Sequence, residues 1–322
     1  MKQIIQFLRR WTLPISMTTG ALVYFVLRAM HFSPEGREAL LVFSRILMPS
    51  LIFSMLTLTF LKVDVRDLRF RSWHVWGLLL QCSLWALSIL SILWLQQTGW
   101  LSPEWMHHMQ YFIISFALCM ITPTATAAAV VTLKLGGNPA TLTLYTIFID
   151  LLASLFISAF IPLLYPGTSF LLAFWMILVK VFPLLFGPFV AAQLVRHLLP
   201  ELRRRFIAIP DLAFYLWTVA LALAICVTVR AIVLMDASLV TLFLMAVGSA
   251  LSCALQFAVG YWLGRRADDV VAASQSLGQK NTAVCIWIGA TFMDPLSSVA
   301  GGFYSVWHNM WNSYQLRKLE KK

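Results

Sequence analysis

The sequence predicts an all-α membrane protein of ten transmembrane helices, built as two inverted five-helix repeats with discontinuous helices 4 and 9. Three observations carry that expectation. The 322 residues are 60% hydrophobic and 11% charged, with a mean hydropathy of +0.82, whereas about a quarter of the residues in ordinary soluble domains are charged. Apolar stretches of the length that a hydrocarbon layer about 30 Å thick demands, about 20 residues each, recur along the whole chain. Basic residues collect in alternate connections, as the retention of Lys and Arg on the cytoplasmic side during insertion requires.

The first span, 11–30, follows the basic start Lys2, Arg9 and Arg10. It is long and no small-residue cleavage site follows it, so it reads as a retained helix rather than a signal peptide. The second (39–61) leads into Lys62, Arg66, Arg69 and Arg71. The third (73–95) contains Gln81, and the fourth (110–133) ends at Lys134. The fifth (139–162) contains Thr146 and Asp150. The sixth (170–195) contains Lys180 and ends at Arg196, ahead of Arg203, Arg204 and Arg205. The seventh (210–229) and eighth (239–263) are continuous apolar runs, the latter closed by Arg265 and Arg266. The ninth is 270–292 and the tenth 295–314, the tenth followed by Arg317, Lys318, Lys321 and Lys322. The intervening segments "QTGWLSPEWMHH", "YPGTS", "MDAS" and "MDPLSS" carry no basic residue. Both termini are therefore expected in the cytoplasm, and the net charge of +11 reports topology and attraction to anionic lipid rather than nucleic-acid binding.

No connection is long enough to hold a soluble domain, so residues 1–322 form one transporter-sized unit, with repeats over about 1–165 and 166–322. All five cysteines fall inside expected spans without ligand spacing, which predicts neither a disulfide nor a zinc site. No G-x-S-x-G or H-E-x-x-H occurs, and the six histidines lie mostly at loops or span ends, so an enzyme is not expected.

Five helices per repeat is an odd number, so the halves are inverted and the fourth and ninth spans correspond. Both are interrupted. In "CMITPTATAAAVVTLKLGGN" Pro123 removes a helix hydrogen bond beside Thr124 and Thr126. In "SQSLGQKNTAVCIWIGATF" Gly278 is followed by Gln279, Lys280, Asn281 and Thr282. Matching breaks of this kind mark transporter sites near the midplane, where half-helix ends offer dipoles to ions and substrate. A charge in a span costs about 2.5 to 3.5 kcal/mol on insertion scales, so Lys280 either snorkels to the cytoplasmic surface or has a function. Asp150, in "YTIFIDLLAS", is the one of 13 acidic residues expected deep within a span, a turn after Thr146. Its counter-charge is either Lys280 or Lys180. Such a pair is costly to break and can titrate, because desolvation disfavours both charges. His308, between aromatics in "SVWHNMWN", reads as a hydrogen-bonded packing residue or a proton relay, beside Asn309.

"SLGQKNTAVCIWIGA" with "GGFYSVWHNMWNS" resembles the ninth- and tenth-helix signatures of the bile acid:sodium symporter family. "TPTATAAAVVTLKLGGN", Gln81 and "PLLFGPFVAAQLVRHLLP" are similar to its fourth, third and sixth helices. The resemblance implies a multi-pass bacterial plasma-membrane protein, a monomer or loose homodimer, with a panel of helices 1, 2, 6 and 7 and a core of helices 3–5 and 8–10, whose discontinuous helices 4 and 9 are crossing helices that meet at their breaks. In that family a glutamate before the ninth-helix glycine serves both sodium sites and a glutamine after it serves one. Here those positions are Ser276 and Lys280; the fourth-helix serine–asparagine pair is Ala128–Ala129 and a fifth-helix serine is Leu142, while Thr146 and Gln81 keep ligand-capable side chains. Sodium wants oxygen ligands. One like charge at 4 Å in an effective dielectric of 20 opposes it by about 4 kcal/mol, nearly three decades in affinity. No cofactor is expected and sodium coupling is weakened, with the Lys280 ammonium standing in the ion's place. The expected cargo is an organic anion (bile-acid-like, pantoate-like or a keto acid) met by Lys280, amides near Thr126 and Asn281, and the polar atoms of Gln279 and Asn309. The alternatives are a cation/proton antiporter using Asp150 and Lys280, and a non-transporting membrane sensor.

Overall fold

The computed structural model describes residues 12–165, 167–209 and 212–320. Lys2, Arg9, Arg10, Trp11, Pro210, Lys321 and Lys322 lie outside the described residues. The described residues form helices and 3-10 turns, and no strand occurs among them. In chain order the helices are α1 (Thr12–Ala29), α2 (Pro34–Lys62), α3 (Ser72–Thr98), α4 (Pro103–Ile121), α5 (Ala128–Lys134), α6 (Pro139–Phe160) and α7 (Phe170–Leu185). They continue as α8 (Gly187–Leu198), α9 (Pro200–Ala208), α10 (Leu212–Leu234), α11 (Leu239–Arg266), α12 (Val270–Gly278), α13 (Thr282–Phe292) and α14 (Val299–Glu320).

Among the described residues, six helical runs are long and apolar enough to cross a membrane: Pro34–Lys62, Ser72–Thr98, Pro139–Leu164, Phe170–Leu198, Leu212–Leu234 and Leu239–Arg266. Their outward faces carry large apolar side chains such as Phe43, Ile46, Trp76, Val179 and Phe243, each exposed. A helix that is apolar on the outside as well as the inside calls for lipid as its solvent. The fourth and ninth stretches are each divided between two shorter helices, α4 with α5 and α12 with α13.

Start signals follow sequence chemistry. Ser33 and Ser102 accept from the Gly36 and Trp105 amides ahead of Pro34 and Pro103, and Asn138 accepts from the Ala140 amide ahead of Pro139. In each case proline occupies the first turn, where its missing N–H leaves nothing unbonded. Two features depart from the expected spans. The sixth is split at Phe186, where Pro183, Gly187 and Pro188 together interrupt the ladder. It is followed by α9, "PELRRRFIA", which the sequence reading treats as loop. In addition, Arg28, Arg37 and Arg45 flank the turn between α1 and α2, on the side that the basic-residue count makes external, so that asymmetry is incomplete.

Helix α10 packs on α1 and α2, and α2 on α8; α11 packs most extensively on α4 and α12, and also on α14, while α3 packs on α4 and α6. At the end of α2, Arg196 of α8 donates to the Leu61 carbonyl at 3.3 Å and to that of Val63, and Arg203 of α9 donates to Leu61 at 3.2 Å. Two guanidinium groups thus satisfy carbonyls that a helix C-terminus leaves free. Arg196→Ala strands them, at a cost of about 1–3 kcal/mol, and is expected to lower the melting temperature of the detergent-purified protein more than Arg196→Lys does. Asp64 stands 3.3 Å from Arg196. The Arg66 amide is the main cause that holds its carboxyl below the usual carboxylate range; burial opposes it, and the Arg196 charge adds a smaller lowering effect. The contribution of this group is therefore present above the unfolded-state carboxylate range and fades as pH falls through the folded value. Asp64→Asn should flatten the acid side of the stability profile slightly.

Candidate functional site

The site is built where the two broken helices meet. Thr122 precedes Pro123 and is extended (ψ 135), as a residue before proline prefers, so α4 stops and the chain is extended through Thr124 before it turns at Thr126 and Ala127 into α5. Gln279 is extended as well (φ −94, ψ 95). The two extended segments lie antiparallel, with Thr124 opposite Lys280. The Ala125 amide donates to the Gln279 carbonyl at 2.7 Å and the Asn281 amide to the Pro123 carbonyl at 2.8 Å. Each break thereby satisfies backbone groups of the other, which is how non-helical backbone persists at membrane depth.

The remaining free ends are capped by side chains from neighbouring helices. Tyr304 of α14 donates to the Gly278 carbonyl at 2.8 Å. Gln256 of α11 donates to the Cys119 carbonyl at 3.3 Å, and its Nε2 also lies 3.1 Å from the Tyr304 hydroxyl. Gln81 of α3 donates to Gln256 Oε1 at 2.7 Å and accepts from the Tyr145 hydroxyl at 2.7 Å. Asn281 Oδ1 accepts from the Val284 amide at 3.3 Å, opening α13. Thr124 donates through its hydroxyl to the Ser276 carbonyl at 2.7 Å. All of these polar side chains are buried, so one chain of hydrogen bonds runs from α6 through α3, α11 and α14 to the break in α12–α13.

Lys280 is 1% exposed, one of the largest fully buried side chains, and its Nζ has no hydrogen-bond partner. It does not snorkel. The titratable groups close to it are the thiols of Cys119, Cys285 and Cys82, and none of the ion pairs among the described residues includes it. Asp150, also 1% exposed, has both carboxylate oxygens without a partner. The expected pairing of Asp150 with Lys280 is therefore absent. So is the alternative with Lys180, which is exposed on α7 while Asp150 is buried in α6.

The other expected residues divide. Ser276 Oγ and Gln279 Oε1 are buried without partners, in the chain segment that leads into Lys280. Thr126 is half-buried in the link before α5. Thr146 is buried but turns its hydroxyl onto its own helix, donating to the Leu142 carbonyl at 3.0 Å. Asn309 does the same, donating to the Ser305 carbonyl at 2.7 Å, so neither offers that proton to the crossing. His308 is buried, its ring edge-on to Tyr304 with centroids 5.6 Å apart and its Nδ1 unpartnered. Sequence reasoning missed Gln256, Tyr145 and Tyr304. Gln256 carried a usable signal, an amide in the middle of the eighth span, which by the logic applied to Lys280 requires a partner.

A sodium cage does not fit these residues. Positions 128, 129 and 142 offer only methyl and isobutyl groups, and an amine is buried at the bridge itself. Among the described residues there is also no cluster of three His, Cys, Asp or Glu that could hold a metal ion. What the arrangement offers instead is an unpaired amine, a hydroxyl and an amide oxygen, held between the end of one half-helix and the start of another. No protein-family model matches this chain, and no curated protein does.

Proposed function

We propose that the chain is a secondary transporter of a small or amphipathic organic anion, working by alternating access through ten spans in two inverted repeats, with Lys280 replacing the sodium ion of the family it resembles. The observation that carries this reading is the buried, unpartnered Nζ of Lys280 opposite Thr124. An ionisable group inside a membrane protein is expensive and marks a substrate or ion path. Crossed broken helices supply the dipoles and the free backbone groups of such a path. A carboxylate or sulfonate would meet Lys280, Gln279 and Ser276, and its apolar body the surrounding core. Asp150 supports a proton as the coupled ion: a buried carboxyl without donor or cation beside it gives a proton a place to bind.

The test is counterflow in vesicles. Purified protein is first screened by thermal shift against small carboxylates, with and without sodium. A hit is then loaded unlabelled, and entry of labelled compound is followed. The expected result is exchange that does not require sodium and changes its pH profile in Asp150→Asn. Binding without exchange would make the protein a sensor, and proton flux driven by added sodium or potassium with no anion movement would make it an antiporter.

A further inference from the structure

A second feature lies beside the crossing, with Ser274 of α12 and Phe257, whose ring lies against Gly278, in its lining. A crevice of about 770 Å³ runs between α11 and α14, within the 300–1,000 Å³ range of ligand sites. Its floor is Ala250, Ala254 and Ala258, one per turn of α11, and its wall is Trp307, Trp311 and Tyr314 of α14. The two helices run in the same direction. Trp307 donates to the Ala246 carbonyl at 3.2 Å and to Ser249 Oγ at 3.1 Å, and further along Trp311 meets Phe257 with ring centroids 5.9 Å apart. Both C-terminal ends therefore emerge on one side.

At that side stand Arg265 and Arg266 of α11 and Arg317 and Lys318 of α14, all exposed and in none of the ion pairs among the described residues. Arg265 and Arg266 lie over the Tyr261 and Trp262 rings, 5.9 and 3.8 Å from the centroids. Of the nearby carboxylates, Asp268 is exposed, and Asp269 is buried and accepts from the Trp73 indole at 3.0 Å. From Ala250 to Tyr261 the crevice follows α11 for about 17 Å at about 1.5 Å per residue. That is the depth of one leaflet, about half of a 30 Å hydrocarbon layer.

We propose that this crevice is a binding site for an anionic phospholipid. One acyl chain lies over the alanines against Trp307 and Trp311, and the phosphate meets the four basic side chains and the Tyr314 hydroxyl. An apolar slot one leaflet deep that opens under a cluster of exposed cations is complementary to that molecule, and less so to a lipid without net charge or to a soluble anion. The site does not depend on what the protein transports.

The test uses the full chain in mild detergent with equal phosphatidylglycerol and phosphatidylcholine, read by native mass spectrometry. One phosphatidylglycerol is expected to stay bound. Ala254→Trp fills the slot and should abolish retention of either lipid. Arg265→Gln with Arg317→Gln and Lys318→Gln should keep a lipid but lower the preference for the anionic one by about tenfold or more, on the scale of the attraction of basic residues to anionic lipid. Where Ala254→Trp fails to fold, phosphatidylglycerol with brominated chains probes the unaltered protein: quenching of tryptophan fluorescence should fall in Trp311→Phe. Retention unchanged by Ala254→Trp, equal retention of the two lipids, quenching unaffected by Trp311→Phe, or a dimer that Ala254→Trp converts to monomer would each overturn the assignment.

Discussion

Exchange of Lys280 for glutamine is expected to raise the melting temperature of the protein while lowering the proposed sodium-free transport. A buried ionisable group without a partner is a net cost to the fold, and Nζ has none. A neutral amide carries no such charge, and Ser276 Oγ and Gln279 Oε1, both buried and unpartnered, are the polar atoms of the same segment open to it. Relief of about 1–4 kcal/mol is the scale for removing poorly compensated buried charge. With Lys280 in the proposed role, stability and activity should part company. Removing the cation also removes the repulsion, about 4 kcal/mol or nearly three decades in affinity, that opposes an alkali ion at the crossing. Sodium should then produce a thermal shift in the variant that it does not produce in the parent, and a larger one when Ser276→Glu is added. A lower melting temperature would make Lys280 a structural brace, and unchanged transport at all pH values would remove it from the mechanism.

How much of this was legible in the sequence depends on the kind of interaction. The positions of the breaks were, because proline and a polar run change the cost of continuing a helix at a known residue: α4 ends at Ile121 and α12 at Gly278. The bridge between the breaks was not, since main-chain bonds such as Ala125 to Gln279 leave no mark on residue type. Helical spacing correctly set Asp150 a turn beyond Thr146, but spacing along one helix says nothing of what faces it across the next, and the ion pair drawn from it is absent. Thr146 shows the same limit, because a threonine can satisfy itself on its own helix, as this one does with Leu142. Gln81 was identified, yet its partner Gln256 lies 175 residues away, a distance at which no periodicity informs. The split at Phe186 was written plainly in Pro183, Gly187 and Pro188 and was passed over because mean hydropathy does not register it.

Leucine at Gly260 or Gly264 is expected to unfold the crossing itself. These glycines, four residues apart on α11, let α12 approach at backbone distance, the small-residue packing that membrane helices use where apolar burial gives no drive. A Cβ at Gly260 would stand 2.7 Å from the Ala273 carbonyl oxygen and from Ser274 Cα, and one at Gly264 would stand 2.6 Å from Val270 Cα. Backbone atoms cannot rotate away, so α12 must retreat by most of an ångström. Overpacking of this kind costs about 1–3 kcal/mol per site. The retreat is passed on, because α12 leads directly into Gln279 and Asn281, whose bonds to Ala125 and Pro123 measure 2.7 and 2.8 Å. An added ångström takes both beyond hydrogen-bond range, with a further loss of about 0.5–1.5 kcal/mol each. Gly260→Leu should therefore combine a large fall in melting temperature with faster hydrogen exchange at the Ala125 and Asn281 amides. Gly36→Ala, whose Cβ would meet Phe32 Cβ at an ordinary 3.4 Å, should change stability by only about 0.5 kcal/mol. If Gly260→Leu keeps both amides protected, the bridge is anchored independently of α12. The energy that holds Lys280 in place must then come from the caps supplied by Gln256 and Tyr304, and loss of protection should instead follow Gln256→Leu.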